Sequence, residues 1–119
     1  MQGSEQQDGV IQMNVQFKKG ILEICVLVLL VKKDCYGYEL VQKISEKVEI
    51  AEGSIYPLLR RLTKEGYLTT YLQESTEGPS RKYYKLTELG HAHLQQQLNE
   101  WYAFSEAVNQ LIKDGENGE

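Results

Sequence analysis

The sequence predicts a mainly α domain with a small β-hairpin, an α+β chain, and three observations predict it. Three segments of helical spacing come first, a strand–turn–strand pattern follows near residue 80, and one long helical segment closes the chain. A length of 119 residues with 41% hydrophobic and 25% charged side chains is enough for one core without staples. The same composition excludes collagen-like, coiled-coil-only and wholly disordered chains.

Residues 1–16 are polar and Gln-rich, the composition of a disordered tail. A first helix is expected over 19–31, where Ile21, Leu22, Ile24, Cys25, Val26, Leu27, Val28, Leu29 and Leu30 leave only Glu23 polar. A helix apolar all round must be buried on more than one face, and a second subunit is the readiest cover. Its apolar run falls far short of the roughly 20 residues of a membrane span. No hydrophobic leader precedes it, so a reduced, cytoplasmic protein without a membrane partner is expected. Helical spacing resumes over 36–47 through Leu40, Val41 and Ile44. A third helix over 52–65 ends at Gly66, the place of a C-terminal glycine. Pro57, set a turn inside it, is expected to remove a backbone hydrogen bond and kink the helix. Strands at 67–73 and 81–86 flank a turn at 74–80 that contains Gly78-Pro79. The last helix runs over 87–112, with Thr87 as N-cap and Glu88 in its first turn.

Two helices joined by a short turn and followed by a hairpin make a helix-turn-helix with a wing. The expected organisation is therefore a disordered polar tail at 1–16, a winged helix-turn-helix at 17–86, a C-terminal dimerisation helix at 87–113 and an acidic tail at 114–119. The formal net charge is −4, from 13 basic and 17 acidic residues. Setting aside Glu5 and Asp8 at one end, and Lys113, Asp114, Glu116 and Glu119 at the other, leaves 12 of each sign. A neutral body permits a nucleic-acid partner, provided that positive charge is focused locally.

The third helix provides that focus. Ile55, Leu58, Leu59 and Leu62 form its apolar stripe, and the opposite face carries Pro57, Arg60, Arg61 and Lys64, flanked by Ser54 and Tyr56. Such a stripe is either a solvated face or a DNA-facing one. Arg81, Lys82 and Lys85 on the hairpin add a second cluster and favour DNA. Phosphates take Lys, Arg, hydroxyls and backbone amides, whereas base edges take side chains from a helix in the major groove. The candidate DNA-binding residues are Ser54, Tyr56, Pro57, Arg60, Arg61, Lys64, Arg81, Lys82 and Tyr83, with Ser54 and Arg60 the base readers. Tyr56 either reaches DNA or packs onto the second helix. Tyr36 and Tyr38 are expected to pack at the turn, and one of Tyr83 and Tyr84 faces the core while the other faces solvent or DNA.

Along the last helix Leu94, Leu98, Trp101, Ser105, Val108 and Ile112 recur at intervals of 4, 3, 4, 3 and 4, a heptad-like seam widened by Phe104, Ala107 and Leu111. A homodimer is the expected cover. Cys25, inside an apolar run, reads as a small buried hydrophobe, and Cys35 follows a polar turn. His91 and His93, two apart on a helix, point away from each other and cannot share a metal, so both are expected at the surface. Neither a nucleophile elbow nor a phosphate-cradling glycine loop is present, so an enzyme, a metal site and a cofactor are all unexpected.

Taken together, Tyr36-Gly37-Tyr38-Glu39-Leu40, the run Gly53 to Leu62, Glu65-Gly66-Tyr67-Leu68, Arg81-Lys82-Tyr83-Tyr84 and Leu86-Thr87-Glu88-Leu89-Gly90 resemble the PadR family of bacterial transcriptional regulators. The single helix after Gly90 is similar to the family's small branch. The resemblance implies a homodimeric winged helix-turn-helix repressor of double-stranded DNA, bound at a pseudo-palindromic operator and released by a ligand or stress signal. In that branch a tryptophan of the matching helix stacks on planar aromatic effectors, which implies Leu98, Trp101, Tyr102 and Ser105 as a ligand site. Two other functions remain open: a winged-helix module binding an acidic protein, and a thiol- or metal-responsive regulator.

Overall fold

In a computed structural model of the protein, backbone is described for residues 6–7, 10–11 and 15–118, and side chains from Gly20 to Gly118 except Glu52. The rest of the N-terminal tail, expected to be disordered, lies outside the described residues. Within it β1 (Gln6–Gln7) pairs antiparallel with β2 (Val10–Ile11).

Helix α1 spans Val15–Lys32, four residues earlier than its apolar run suggests. Its core face is Leu22, Val26, Leu27 and Leu30, while Val28 and Val31 stay exposed. Next comes β3 (Cys35–Tyr36), a strand too short to leave any periodicity in the sequence, and then α2 (Gly37–Ser45). Glu39 fixes this junction by accepting from the Tyr36 backbone N–H at 3.4 Å and from Lys33 Nζ at 2.8 Å. A short 3-10 turn (Glu52–Ser54) leads into α3 (Ile55–Lys64).

That boundary corrects the expectation for Pro57. With Ser54 as N-cap, Pro57 is the third residue of the helix. The first four N–H groups of a helix have no intrahelical partner, so its missing N–H costs nothing there. Gly66 ends the segment at φ +87°, a backbone angle that penalises any side chain, while its N–H donates to Thr63 O at 3.1 Å.

The wing is also tighter than expected. Strand β4 (Leu68–Ser75) pairs antiparallel with β5 (Gly78–Leu86), so only Thr76 and Glu77 turn the chain, beside a register shift between Gln73 and Ser75. Gly78 and Pro79 belong to the start of β5, where a missing N–H is tolerated. The sheet order is β3-β5-β4, making three strands where a two-stranded hairpin was expected. Helix α4 (Glu88–Glu116) begins on Thr87, whose Oγ1 accepts from the Gly90 N–H at 3.0 Å and donates to Gly66 O at 2.7 Å. A Cβ at Gly90 would run into the Tyr67 carbonyl and the Leu86 side chain, so this glycine lets α4 press against the hairpin.

One core joins these elements. Leu27, Leu40, Ile55, Leu59 and Leu62 are fully buried within it, and Leu68, Tyr84, Leu86 and Leu94 close it from the sheet and α4. The cysteines exchange their expected places: Cys35 in β3 is the buried one, and Cys25 is half-buried. Among the described residues no helix is long and apolar enough to cross a membrane.

Candidate nucleic-acid interface

Three elements meet at an open cleft of about 350 Å³, lined by Tyr36, Gly37 and Tyr38 from the start of α2, Tyr56 from α3, and Arg81, Lys82 and Tyr84 from β5. Tyr56 is half-buried and packs onto α2, where a Cβ at Gly37 would lie 2.5 Å from its Cε1. Glycine at 37 is therefore what admits the ring. The two roles weighed for Tyr56 coexist, since its ring packs on α2 and its edge lines the cleft.

The sheet sorts the wing side chains. Tyr84 is buried against the helices, so Tyr83 and Arg81 lie on the opposite face. There Tyr83 stacks on Tyr71, with centroids 5.6 Å apart, and meets Tyr36 edge-on at 5.4 Å. The Arg81 guanidinium covers the Tyr36 ring at 4.6 Å, an arrangement that orients it without neutralising it. Tyr71 donates to Asp34 Oδ2 at 2.7 Å, and that hydrogen bond pushes its hydroxyl up to about 12. On the inner face Lys82 approaches the Tyr84 ring at 5.9 Å. Burial raises the Tyr84 hydroxyl above its ordinary value, with the charge of Arg60 opposing. Arg60 therefore stands on the same side of the wing base as Tyr84 and Tyr56.

Along α3, Arg60 and Lys64 are exposed and make no ion pair among the described residues. Pro57 is exposed beside them. Ser54 is exposed too, and its Oγ donates to Ala51 O at 2.6 Å, which leaves the oxygen to act as an acceptor. Arg61 is placed differently from its neighbours. Its Nη2 bonds Glu23 Oε1 at 2.5 Å and its Nη1 bonds Glu65 Oε1 at 3.1 Å, so both ends of the guanidinium already hold carboxylates.

Glu23 is the residue that sequence reasoning passed over, although it is the single polar break in the α1 run. It is 8% exposed and also takes His93 Nε2 at 2.8 Å and Gln97 Nε2 at 2.6 Å. Burial works to raise its carboxyl. The hydrogen bonds from Arg61, His93 and Gln97, together with the Arg61 charge, outweigh burial and hold it below the ordinary carboxylate value. His93 is accordingly no surface histidine, because it is half-buried and stacks on Tyr67 at 3.9 Å; His91 is exposed.

The expected dimer residues divide. Leu94 is buried in its own domain and Leu98 packs against the same core. Ser105 and Val108 are half-buried along the helix, with Ser105 Oγ donating to Tyr102 O at 3.3 Å. Trp101 is 39% exposed, and Tyr102, Phe104, Leu111 and Ile112 are exposed, which leaves an apolar face uncovered in the single chain.

A helix-turn-helix whose third helix and wing present exposed cations around one cleft has the architecture of a DNA-binding protein. Comparison with known proteins agrees. The transcriptional regulator PadR-like family matches residues 26–96. A PadR-like transcriptional regulator of Bacillus cereus strain ATCC 14579 is 40% identical, over 82% of this chain and 96% of that one, with a TM-score of 0.73. An uncharacterized protein of Lysinibacillus sphaericus is 35% identical over 99 residues, 80% of this chain and 91% of that protein. The negative transcriptional regulator PadR of Bacillus subtilis (strain 168) is 28% identical over 98 residues, which is 79% of this chain and 52% of that relative's length. The chain belongs to the PadR-like family and is a DNA-binding transcriptional regulator.

Proposed function

We propose that the chain is a homodimeric, cytoplasmic repressor that holds a pseudo-palindromic operator in double-stranded DNA and is released by a small planar aromatic effector. The observation that carries this reading is the cleft, where the start of α2, the first turn of α3 and the cations Arg81 and Lys82 converge. A phosphate seated there meets both cations and the tyrosine hydroxyls, beside the first amides of α2. Arg60 and Lys64 then face the groove entered by α3, with Ser54 and Pro57 at its leading end. An acceptor-only Ser54 oxygen suits the amino groups of adenine or cytosine. Arg61, occupied by two carboxylates, is the least available cation of the set.

The dimer is supported by the uncovered α4 face from Trp101 to Ile112. Repression is the sense carried by the name of the Bacillus subtilis relative. An effector site at Leu98, Trp101, Tyr102 and Ser105 would combine apolar lining with few polar groups, the usual makeup of such sites. A thiol sensor is disfavoured, since burial pushes both the Cys25 and Cys35 thiols up and makes them poor nucleophiles.

Selection from a randomised duplex library tests the reading. An enriched two-fold-related sequence is expected, with steep salt dependence and a slope that falls by about one unit in Arg81→Ala. No enriched duplex, or binding of an acidic protein with no preference among duplexes, would overturn it.

A further inference from the structure

Glu23 is a buried charge that the DNA-facing surface does not use. Its two oxygens are shared between elements: Oε1 accepts from Arg61 of α3, and Oε2 accepts from His93 and Gln97 of α4. A single carboxylate thus bonds the groove-facing helix to the helix that carries the uncovered apolar face. The α4 side is held firmly. His93 lies flat on Tyr67, 8° from parallel, and Gln97 Oε1 is buried with no partner, so Glu23 alone orients that amide.

The position of this bond along α4 matters as much as its chemistry. Gly90 and Leu94 are buried, Gln97 and Leu98 are half-buried, and from Asn99 onward only Ser105 and Val108 are not fully exposed. Gln97 is therefore the last polar anchor before α4 leaves its domain. Some 28 Å of helix follow before Glu116 at 1.5 Å per residue, so a tilt of about 5° at the anchor moves the far end by roughly 2 Å. Apolar contacts tolerate such a tilt, because they are not directional. A carboxylate receiving three directed hydrogen bonds does not.

The geometry points to Glu23 as a positioning residue for operator recognition, one that fixes the angle between α3 and α4 and so sets the separation of the two recognition helices in the dimer. This inference rests on the reading of the chain as a dimeric DNA-binding regulator. Removing Glu23's charge should then alter which half-site spacing is bound, rather than how many phosphates are contacted.

The test uses the operator enriched by the unmodified protein and a series of duplexes whose half-site spacing is changed one base pair at a time. The unmodified dimer is expected to lose about tenfold in affinity for each step away from its optimum. Glu23→Gln and Gln97→Ala should flatten that profile to within about threefold, with the salt slope unchanged because no phosphate contact is lost. Glu65→Gln, which removes only the exposed partner of Arg61, should keep the unmodified profile. If Glu23→Gln does not fold, Gln97→Ala, altered at a half-exposed position, carries the test. A uniform loss at every spacing with the profile preserved would mark Glu23 as merely structural and overturn the inference, while the regulator reading stands. If the unmodified protein enriches no duplex, the regulator reading falls and takes this one with it.

Discussion

Arg60 and Arg61 are adjacent, chemically identical and equally basic in the sequence, and tertiary structure gives them opposite roles. Arg60 has solvent and the wing base before it, whereas Arg61 spans two carboxylates with its side chain 48% exposed. Arg60→Ala is expected to leave stability unchanged and to weaken operator binding. The loss should be about 1–3 kcal/mol with relaxed preference at one base pair if Arg60 reads a base edge. Arg61→Ala is expected to lower stability by about 1–2 kcal/mol in urea titration, less than a fully buried pair would cost because water screens the arginine. Normal operator binding by Arg60→Ala would refute its place at the interface. Glu23 adds a pH dependence. Its native carboxyl lies below the ordinary value of 4.5, so the stability it contributes is present above about pH 4.5 and is lost as pH falls through the depressed native value. The stability gap between the unmodified protein and Glu23→Gln should therefore shrink between pH 7 and pH 3, and a constant gap would show that the carboxylate is not linked to folding.

At the scale of elements, α4 is two helices in one. Its first three turns, through Leu98, belong to the domain, and the remainder presents Trp101, Phe104, Leu111 and Ile112 to solvent. A heptad count makes no such division, because the interval from Leu94 to Leu98 equals that from Trp101 to Ser105. A seam disruption is accordingly best placed late. Ile112→Asp is expected to give folded monomers by sedimentation at micromolar concentration that no longer retain the operator. The same substitution at Leu98 would damage the core of each domain as well. A dimer that survives Ile112→Asp would move the interface off this face.

At the scale of the whole molecule, two copies joined along α4 would hold their recognition helices at a spacing of one DNA turn or a multiple. A planar compound between the subunits shifts that spacing only if it binds the DNA-incompetent arrangement more tightly. Trp101, 39% exposed in the single chain, either lines such a cavity or plugs the dimer core. In the first case planar hydrophobic cations quench its fluorescence at micromolar concentration, and Trp101→Ala stays dimeric while losing that binding. In the second case Trp101→Ala weakens the dimer by about 3–5 kcal/mol, the cost of a large cavity, and no ligand response is seen.

By itself the sequence determined the element order, the winged helix-turn-helix, the amphipathic α3 and the need to cover α4. All of these follow from local periodicity and from punctuation such as Gly66 and Thr87, which act within a few residues. Only the tertiary structure decided that Pro57 is harmless, that β3 exists, that Cys35 and not Cys25 is buried, and that His93 is tethered. It alone split Arg60 from Arg61 and joined Glu23 to residues 38, 70 and 74 positions away. A side chain's periodicity fixes the face on which it lies, but its partner is fixed by which distant element packs there. A lone glutamate in an apolar run signals only that some partner must exist, since a buried carboxylate without one would not be tolerated.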